Sequence, residues 1–416
     1  MSLMYIDPGT GSMLFTILIG VLGTGAYKFK DATVKARFLL SGGKTRGNDE
    51  KRLEYVIFSD HKRYWNVFEP ICDEFERRET GIVYMTASPD DPALEKPYKY
   101  VKSEFIGEGN KAFATLNNLH ADIVLSTTPS LDVFYWKRSK FVKYYVHIAH
   151  AASDLTLYRM FGIDFYDAIL ISGDYQEEQL RALEKARNLP EKEIRKVGLP
   201  FMDVMKKRLE KTGRIRNEKP VVLLAPSWGP NAIFSRFGEQ IIDRLLKTGY
   251  HIIIRPHPQS FTSEREMIEE LMNRFPPSDR IEWNRDNDNF EVLRRSDIMI
   301  SDFSGVMFDF SLIFDKPLIY TDVQFDAAPY DACWLDEAPW TFRVLPKLGL
   351  KLTDDNMSNI GGLIDRCLND SEFERGRNEA REETWAYIGE GAKRITDYLF
   401  EKHEELEQNN MEEQTK

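Results

Sequence analysis

The chain has 416 residues, of which 30% are charged and 12% aromatic, and its formal net charge is −11 at pH 7. This composition excludes an intrinsically disordered chain, and the negative charge argues against nonspecific binding to nucleic acid. The length favours two domains over a single core, and the three widely separated cysteines fit a reducing compartment rather than a disulfide framework or a zinc site.

The first 50 residues contain an apolar segment, residues 12–29, that has no charged side chain before Lys28. Asp7 precedes it and basic residues follow it, the reverse of the order in a cleaved signal peptide. Because basic flanks stay in the cytoplasm, the pattern predicts a single N-terminal membrane anchor with the remaining chain on the cytoplasmic face of the cell membrane. An amphipathic or buried helix is the alternative, since a spanning helix needs about 17–25 apolar residues.

Residues 51–205 alternate between strand-like and helix-like segments. The apolar runs that predict strands are YVIFS, GIVYMT, ADIVLST, KYYVHIAH, DAILIS and IRKVG. Such alternation is typical of a mostly parallel sheet covered by helices. It predicts a first Rossmann-like domain over these residues.

Residues 206–375 repeat the alternation and predict a second Rossmann-like domain. Its predicted strands are PVVLLAPSW, YHIIIRPHP, RIEW, DIMISDFSG and KPLIYTD, with amphipathic segments between them. Residues 376–416 are assigned to a C-terminal helix and a polar tail. The helix itself is predicted from about Glu372 to about Glu404. The helix is expected to pack back across the first domain. The predicted fold class is therefore α/β, with two domains after the N-terminal anchor.

Four strands of the second half run directly into polar or turn-forming residues, at 225–228, 255–258, 301–305 and 320–322. Ligands of open parallel sheets bind outside the carboxyl ends of the strands. The four loops therefore predict a binding surface, with ordinary turns and helix caps as the alternative.

The 301–305 loop, SDFSG, lies between a predicted strand and a predicted helix. The N–H groups and the positive dipole at a helix start can hold a phosphate or a diphosphate, and Gly305 allows close backbone approach. The alternative is that Ser301 or Asp302 only caps the helix. Asp309, inside that helix, is expected at the surface or in a supporting position.

Arg255 and His257, in the sequence RPHP, supply cationic groups at another strand end. A guanidinium can bind phosphate oxygens through two parallel hydrogen bonds and stays charged. An imidazole can donate to a leaving phosphate or neutralise developing charge there.

His147 and His150 stand at the end of the run KYYV in the first half. If the strand continues through His147, His150 lies just beyond it and is the better candidate for a base facing the interdomain cleft. Asp154 would then orient His150 or cap the next helix. The alternative is that both histidines only pack.

Together, the motifs GLPFMD, APSW, RPHP and SDFSGVMFDFSLIFDKPLIY, within about residues 147–320, resemble the CDP-glycerol glycerophosphotransferase family, which builds teichoic-acid-type chains. The resemblance implies the glycosyltransferase-B (GT-B) architecture, in which two Rossmann-like domains face a cleft. It also implies transfer of glycerol phosphate from CDP-glycerol, or a related CDP-alditol, to a hydroxyl of a lipid-linked or polymeric acceptor, with release of CMP.

Carried over residue by residue, the resemblance makes His150 the base for the acceptor hydroxyl. The implied catalytic residues are His150 and His257, and the implied donor-binding residues are Arg255, Ser301, Asp302, Ser304, Gly305, Ser227 and Pro200. No cofactor or metal site is implied, and dependence on a divalent metal is left open. The family has His-Gly where this chain has His150 and Ala151, which leaves the local backbone and the acceptor open.

Two other functions remain open. A GT-B glycosyltransferase that uses a nucleotide sugar for surface polysaccharide would share the cleft and the diphosphate site. A catalytically inactive, membrane-tethered binding protein is the other. The pairing of RPHP with SDFS favours the phosphotransferase.

Overall fold

The computed structural model describes residues 52–286, 288–302, 304–321 and 325–414. The chain from Leu53 onward forms one compact unit. The predicted membrane anchor, residues 12–29, lies outside the described residues. Within the described ranges, no helix is both long enough and apolar enough to cross a membrane.

The first sheet has seven strands, all parallel, in the order β3-β2-β1-β4-β5-β6-β7. Its central strands are buried along nearly their whole length because helices cover both faces, which explains their continuous apolar runs. The strands are β1 Leu53–Ser59, β2 Ile82–Thr86, β3 Val101–Phe105, β4 Ala121–Ser126, β5 Val142–Ile148, β6 Ala168–Ile171 and β7 Glu193–Lys196.

The second sheet has six strands, also all parallel, in the order β10-β9-β8-β11-β12-β13. They are β8 Val221–Ala225, β9 His251–Ile254, β10 Ile281–Trp283, β11 Ile298–Ser301, β12 Leu318–Thr321 and β13 Gly349–Leu352. The predicted α/β class with parallel sheets is confirmed. The first sheet lies within residues 51–205 and the second within 206–375, and the division into two domains stays a prediction.

Helices connect most of the strands and cover the sheets. They are α1 Trp65–Arg77, α2 Asn110–Leu116, α3 Asp174–Arg187, α4 Pro200–Thr212, α5 Ile233–Phe237, α6 Glu239–Lys247, α7 Ser260–Ser263, α8 Arg265–Arg274, α9 Phe290–Arg295, α10 Val306–Phe308, α11 Trp340–Arg343, α12 Leu345–Leu348, α13 Ile360–Asn369, α14 Ser371–Thr384 and α15 Gly391–Gln414. A π-helical turn, Asp309–Ile313, continues α10.

The C-terminal region forms two helices, α14 and α15, where one was predicted. The break between them contains Tyr387, whose φ of 50° is unusual for a bulky residue. Asp203 of α4 holds the break by accepting hydrogen bonds from the backbone N–H groups of Gly389 and Gly391. Helix α15 returns to the first sheet, where the Phe400 ring packs 5.3 Å from the Phe75 ring of α1.

The connection between β12 and β13 leaves the second sheet and packs on loops of the first. We call the described part of it, residues 325–343, the crossing segment. Asp331, fully buried, accepts hydrogen bonds from the backbone N–H groups of Phe161 at 2.9 Å and Gly162 at 3.2 Å. The Arg187 guanidinium donates to Asp331 at 2.6 Å and also pairs with Asp164. A buried carboxylate therefore joins the crossing segment to the first sheet.

Replacing Asp331 with alanine removes the acceptor of three hydrogen bonds and leaves part of the Arg187 charge unpaired. We expect Asp331→Ala to lower the free energy of unfolding by about 3 kcal/mol, because the Arg187 charge stays buried after its partner is removed. Urea denaturation measures the change. The matched control is Asp336→Ala, an exposed aspartate of the same segment, expected to cost less than about 0.5 kcal/mol. Equal losses in the two variants would contradict the assigned role.

Candidate functional site

Asp302 and Ser301 organise the loops at the carboxyl ends of β8 and β11. The two carboxylate oxygens of Asp302 accept the backbone N–H groups of Ser227 and Ile233, each at 2.8 Å. The Ser301 hydroxyl donates to the Ala225 carbonyl at 2.6 Å. Both side chains are buried. The structure therefore brings Ser227, Ser301 and Asp302 together. It uses the side chains of Ser301 and Asp302, and the backbone N–H of Ser227, to hold these loops.

Ser304 and Gly305, which precede α10, line a cavity of about 230 Å³. We call it the central cavity. Ser153 and Leu157, from the first half, also line it. The remaining lining residues are Asp302, Met307, Phe308, Tyr320, Thr321, Phe325, Thr341, Phe342 and Leu345. Aromatic faces and a helix start thus meet in one hollow, although His150, His257 and Arg255 are not among its lining residues.

The open backbone at Gly305 is consistent with close approach of a ligand. A Cβ built on this residue would meet no atom within 4 Å, and its φ of −58° is ordinary for any residue. The glycine is therefore required neither by packing nor by backbone conformation. In α10 the N–H groups of Met307 and Phe308 already donate to the Ser304 and Gly305 carbonyls, at 3.2 and 3.1 Å. Any backbone donors that this helix start offers to an anion therefore lie ahead of Met307.

His257 is exposed, and its tautomer follows from its contacts. Its Nδ1 accepts the backbone N–H of Gln259 at 3.1 Å, so in the neutral ring the proton lies on Nε2. The backbone N–H of His257 donates to the Pro226 carbonyl in the loop after β8. Desolvation lowers the pKa of His257, whereas the charges of Asp302 and Glu264 oppose that shift. His257 can therefore present an N–H donor beside the Asp302 loop.

Arg255 is held by the loop after β10 rather than by the 301–305 loop. Its Nη1 donates to the Asn284 side-chain oxygen, and its Nη2 donates to the Asp286 carbonyl at 2.7 Å. Burial lowers the pKa of Arg255, with Asp286 and Asp288 opposing the shift. The guanidinium stays charged, and its predicted contact with a donor stays a prediction.

His150 lies just beyond the end of β5, where the sequence placed it. Its Nδ1 is 2.8 Å from the Thr127 hydroxyl and 3.4 Å from the Tyr158 hydroxyl. Burial, with a smaller effect of the nearby Arg63 charge, lowers the pKa of His150 to about 4. The imidazole is therefore neutral at neutral pH and has a nitrogen that can accept a proton. His147, at the end of β5, is fully buried.

Asp154 neither orients His150 nor caps the next helix of the first half. Its carboxylate is buried and accepts the backbone N–H groups of Trp340 at 2.7 Å and Thr341 at 2.8 Å, at the start of α11. It thus caps a helix of the crossing segment. The sequence offered no signal for this contact, because its partners are 186 and 187 residues away.

Pro200 lies away from the other predicted site residues. It is the first residue of α4, a position that suits proline because the first helical N–H has no partner. It is buried beside Gly391 of the C-terminal helix. It also borders a hollow with Lys206, Lys207 and Ile388. The structure gives it a role in helix initiation, and its predicted part in donor binding stays a prediction.

Asp309 is a titratable group that the sequence placed at the surface or in a supporting position. It is partly buried at the start of the π-helical turn, and burial raises the pKa of its carboxyl to about 7. Within the described part of the chain, the carboxyl has no hydrogen-bond or ion-pair partner. π-helical turns are frequent at functional sites, and this one directly follows the helix that starts at the central cavity.

The described residues define an α/β protein with two parallel sheets and a central cavity at the start of α10. They contain no group of three or more histidine, cysteine or acidic side chains arranged to hold a metal ion. Residues 160–333, less than half of the chain, match the model of the CDP-Glycerol:Poly(glycerophosphate) glycerophosphotransferase family. The predicted resemblance to this family is confirmed over that segment.

One curated relative matches part of the chain. Over 165 residues this chain is 26% identical to that relative, the teichoic acid glycerol-phosphate primase of Bacillus subtilis (strain 168). That match covers 37% of this chain and 39% of the primase, so it spans about two fifths of the relative's length.

Solved structures show a shared fold over most of the chain. The wall teichoic acid polymerase TagF aligns with a TM-score of 0.59 and 16% identity, covering 92% of this chain and 99% of that one. The UDP-GlcNAc 2-epimerase from Neisseria meningitidis, bound to UDP-GlcNAc, gives a TM-score of 0.54 and 12% identity over 84% of this chain and 100% of that one. At these identities the likeness establishes the fold alone.

Asp309 predicts a pH-dependent stability. Because the folded protein binds its proton more tightly than the unfolded chain, the stabilisation is present at acidic pH and is lost as the pH rises to about 7. Asp309→Asn cannot titrate, so its free energy of unfolding should gain on the wild type between about pH 5 and about pH 8. Urea denaturation at both pH values measures this. Asp336→Asn is the exposed control, and a constant difference between Asp309→Asn and wild type would refute the prediction.

Proposed function

We propose that this protein transfers glycerol phosphate from CDP-glycerol, or a related CDP-alditol, to a hydroxyl of a lipid-linked or polymeric acceptor. CMP is released, and the product is a teichoic-acid-like polymer of the cell envelope. The observation that carries the proposal is the family match over residues 160–333, because that segment contains both His257 and the Ser304–Gly305 side of the central cavity.

In the proposed reaction the acceptor oxygen attacks the phosphorus that bears the glycerol. The bond from that phosphorus to the bridging oxygen breaks, and CMP leaves with the bonding electrons. The hydroxyl proton passes to His150, whose low pKa keeps the imidazole neutral and able to accept it. The same low pKa makes His150 a weak base, so correct placement of the reactants must supply most of the acceleration.

The donor would lie across the second sheet's loops. Tyr320, Phe325 and Phe342 give the central cavity aromatic faces, which suit a nucleobase. The start of α10 would then meet the diphosphate, and His257 would donate its Nε2 proton to a phosphate oxygen. Arg255 would act through its charge while it braces the Asn284 loop.

The proposal includes the GT-B arrangement, with residues 51–205 on the acceptor side and residues 206–375 on the donor side of a cleft. It also includes attachment of the protein to the cytoplasmic face of the cell membrane through residues 12–29. That attachment would bring His150 to acceptors that are themselves fixed in the membrane, while the activated nucleotide arrives from the cytoplasm.

The donor class is tested by incubating membranes that contain the full chain with CDP-glycerol, CDP-ribitol and several UDP-sugars. Release of CMP from a CDP-alditol supports the proposal. Release of UDP without CMP would overturn it in favour of nucleotide-sugar transfer. Release of neither nucleotide, with the chain folded, would favour the inactive binding protein.

His257→Ala should lower the rate of CMP release by about 10²–10³-fold, the usual cost of removing one donor to a developing negative charge. The control is His251→Ala, at the opposite end of the same strand, where the ring contacts the Asp279 carbonyl. His251→Ala should retain the wild-type rate. If the two variants turn over equally, His257 is not part of the donor site.

A further inference from the structure

The hydroxyl of Tyr158 stands between two imidazoles. It is 3.2 Å from His147 Nε2 and 3.4 Å from His150 Nδ1. The Tyr158 ring also meets the His147 ring edge-on, with centroids 5.4 Å apart. Neither the motifs nor the family resemblance pointed to this tyrosine, because it lies eight residues beyond His150 in an irregular connection.

The position of Tyr158 is set from two directions. Its backbone N–H donates to the Leu155 carbonyl at 3.3 Å, which closes a short 3-10 turn. Its backbone carbonyl accepts the N–H of Asp331, the buried residue of the crossing segment, at 3.1 Å. Asp331, which joins the crossing segment to the first sheet, therefore also holds Tyr158 in place.

Thr127 closes the same edge of His150 from another loop. It follows β4, is fully buried, and its hydroxyl lies 2.8 Å from His150 Nδ1. Two hydroxyls therefore face Nδ1, whereas Nε2 has no hydrogen-bond partner among the described residues. Nε2 is the nitrogen left for a substrate.

We propose that Tyr158 is a positioning residue: its hydroxyl, anchored on His147 and acting together with Thr127, holds the Nδ1 edge of His150 so that Nε2 faces the substrate. This inference rests on the proposed function for the claim that His150 is the base. The contact itself does not depend on the reaction.

The geometry favours positioning over a proton relay. A relay would move the proton from His150 through Tyr158 onto His147. His147 is fully buried, its Nδ1 has no partner among the described residues, and burial lowers its pKa to about 3. Protonated His147 would be an unpaired cation in the core. Because the hydroxyls of Tyr158 and Thr127 are uncharged, they can orient His150 without raising its pKa as a carboxylate would.

Tyr166 provides the matched control. Its ring packs 4.9 Å from the His147 ring, but its hydroxyl donates to the Thr128 carbonyl at 2.6 Å. Tyr166→Phe is therefore the same substitution beside the same histidine, without loss of a contact to His150.

With CDP-glycerol and an acceptor, Tyr158→Phe should lower kcat by about 10- to 100-fold and leave KM for the donor within about twofold, because it misplaces a reacting group without touching the donor. Thr127→Val should act similarly, and Thr127→Ser should restore the rate. Tyr166→Phe should keep kcat within about threefold of wild type. Equal kcat values for Tyr158→Phe and Tyr166→Phe would overturn the proposal.

A second readout needs no substrate and separates this inference from the proposed function. The full chain is labelled with ¹⁵N-histidine, and the His150 ring signals are assigned by comparison with His150→Gln. Tyr158→Phe should shift the His150 ring signals, whereas Tyr166→Phe should leave them in place. A shift in a protein that uses no CDP-alditol would support the contact and reject only the reaction. Unchanged His150 signals in Tyr158→Phe would overturn the positioning role.

Discussion

The candidate site depends on two buried aspartates, Asp154 of the first half and Asp331 of the crossing segment, which join these two parts of the chain. A carboxylate out of water is costly unless hydrogen bonds satisfy its oxygens. Asp154 and Asp331 each accept hydrogen bonds across the contact between the crossing segment and the loops of the first sheet. Asp154 holds the start of α11 and Asp331 holds the backbone at Phe161. The central cavity needs both halves, since Ser153 of the first half and Met307 and Phe308 of α10 all line it. Loss of these contacts between the crossing segment and the first-sheet loops would therefore open the cavity and remove one of the contacts that hold Tyr158.

Polar residues at the carboxyl ends of the strands divide into two groups with different tasks. Ser301, Asp302 and Arg255 spend their hydrogen bonds on neighbouring loops, so they fix the shape of the binding surface. The Nε2 of His257 and the Ser304 hydroxyl make no hydrogen bond among the described residues, so they remain available to a ligand. The SDFS motif therefore contains residues of two kinds: Ser301 and Asp302 hold neighbouring loops, and Ser304 remains available to a ligand. A backbone that is to hold an anion at a helix start needs such rigid support.

The sequence predicted the central strands because a parallel sheet covered on both faces requires continuous apolar runs. It missed β3 and β13, two of the four outer strands, since VKSEF is polar and GLKL is short. The single C-terminal helix was wrong because its break depends on Asp203, a residue far away in the chain. The same reason hid the contacts of Arg255 and Asp154. Periodicity reports which face of a strand is buried, but it carries no information about which distant side chain will meet a given polar atom.

The environment of His150 bears on how a weak base could serve the proposed reaction. Phosphoryl transfer requires little covalent chemistry from the protein, and most of the acceleration comes from positioning and from stabilising charge. A carboxylate behind His150 would make it a stronger base, but it would also place negative charge near the incoming diphosphate. Hydroxyls from Thr127 and Tyr158 orient the ring and add no charge. The cost is a low pKa, and that cost is small where the proton leaves after the phosphorus bond has largely formed. In the proposed reaction, uncharged hydroxyls would orient the base His150 on one half, and His257 would supply an N–H donor from the other half.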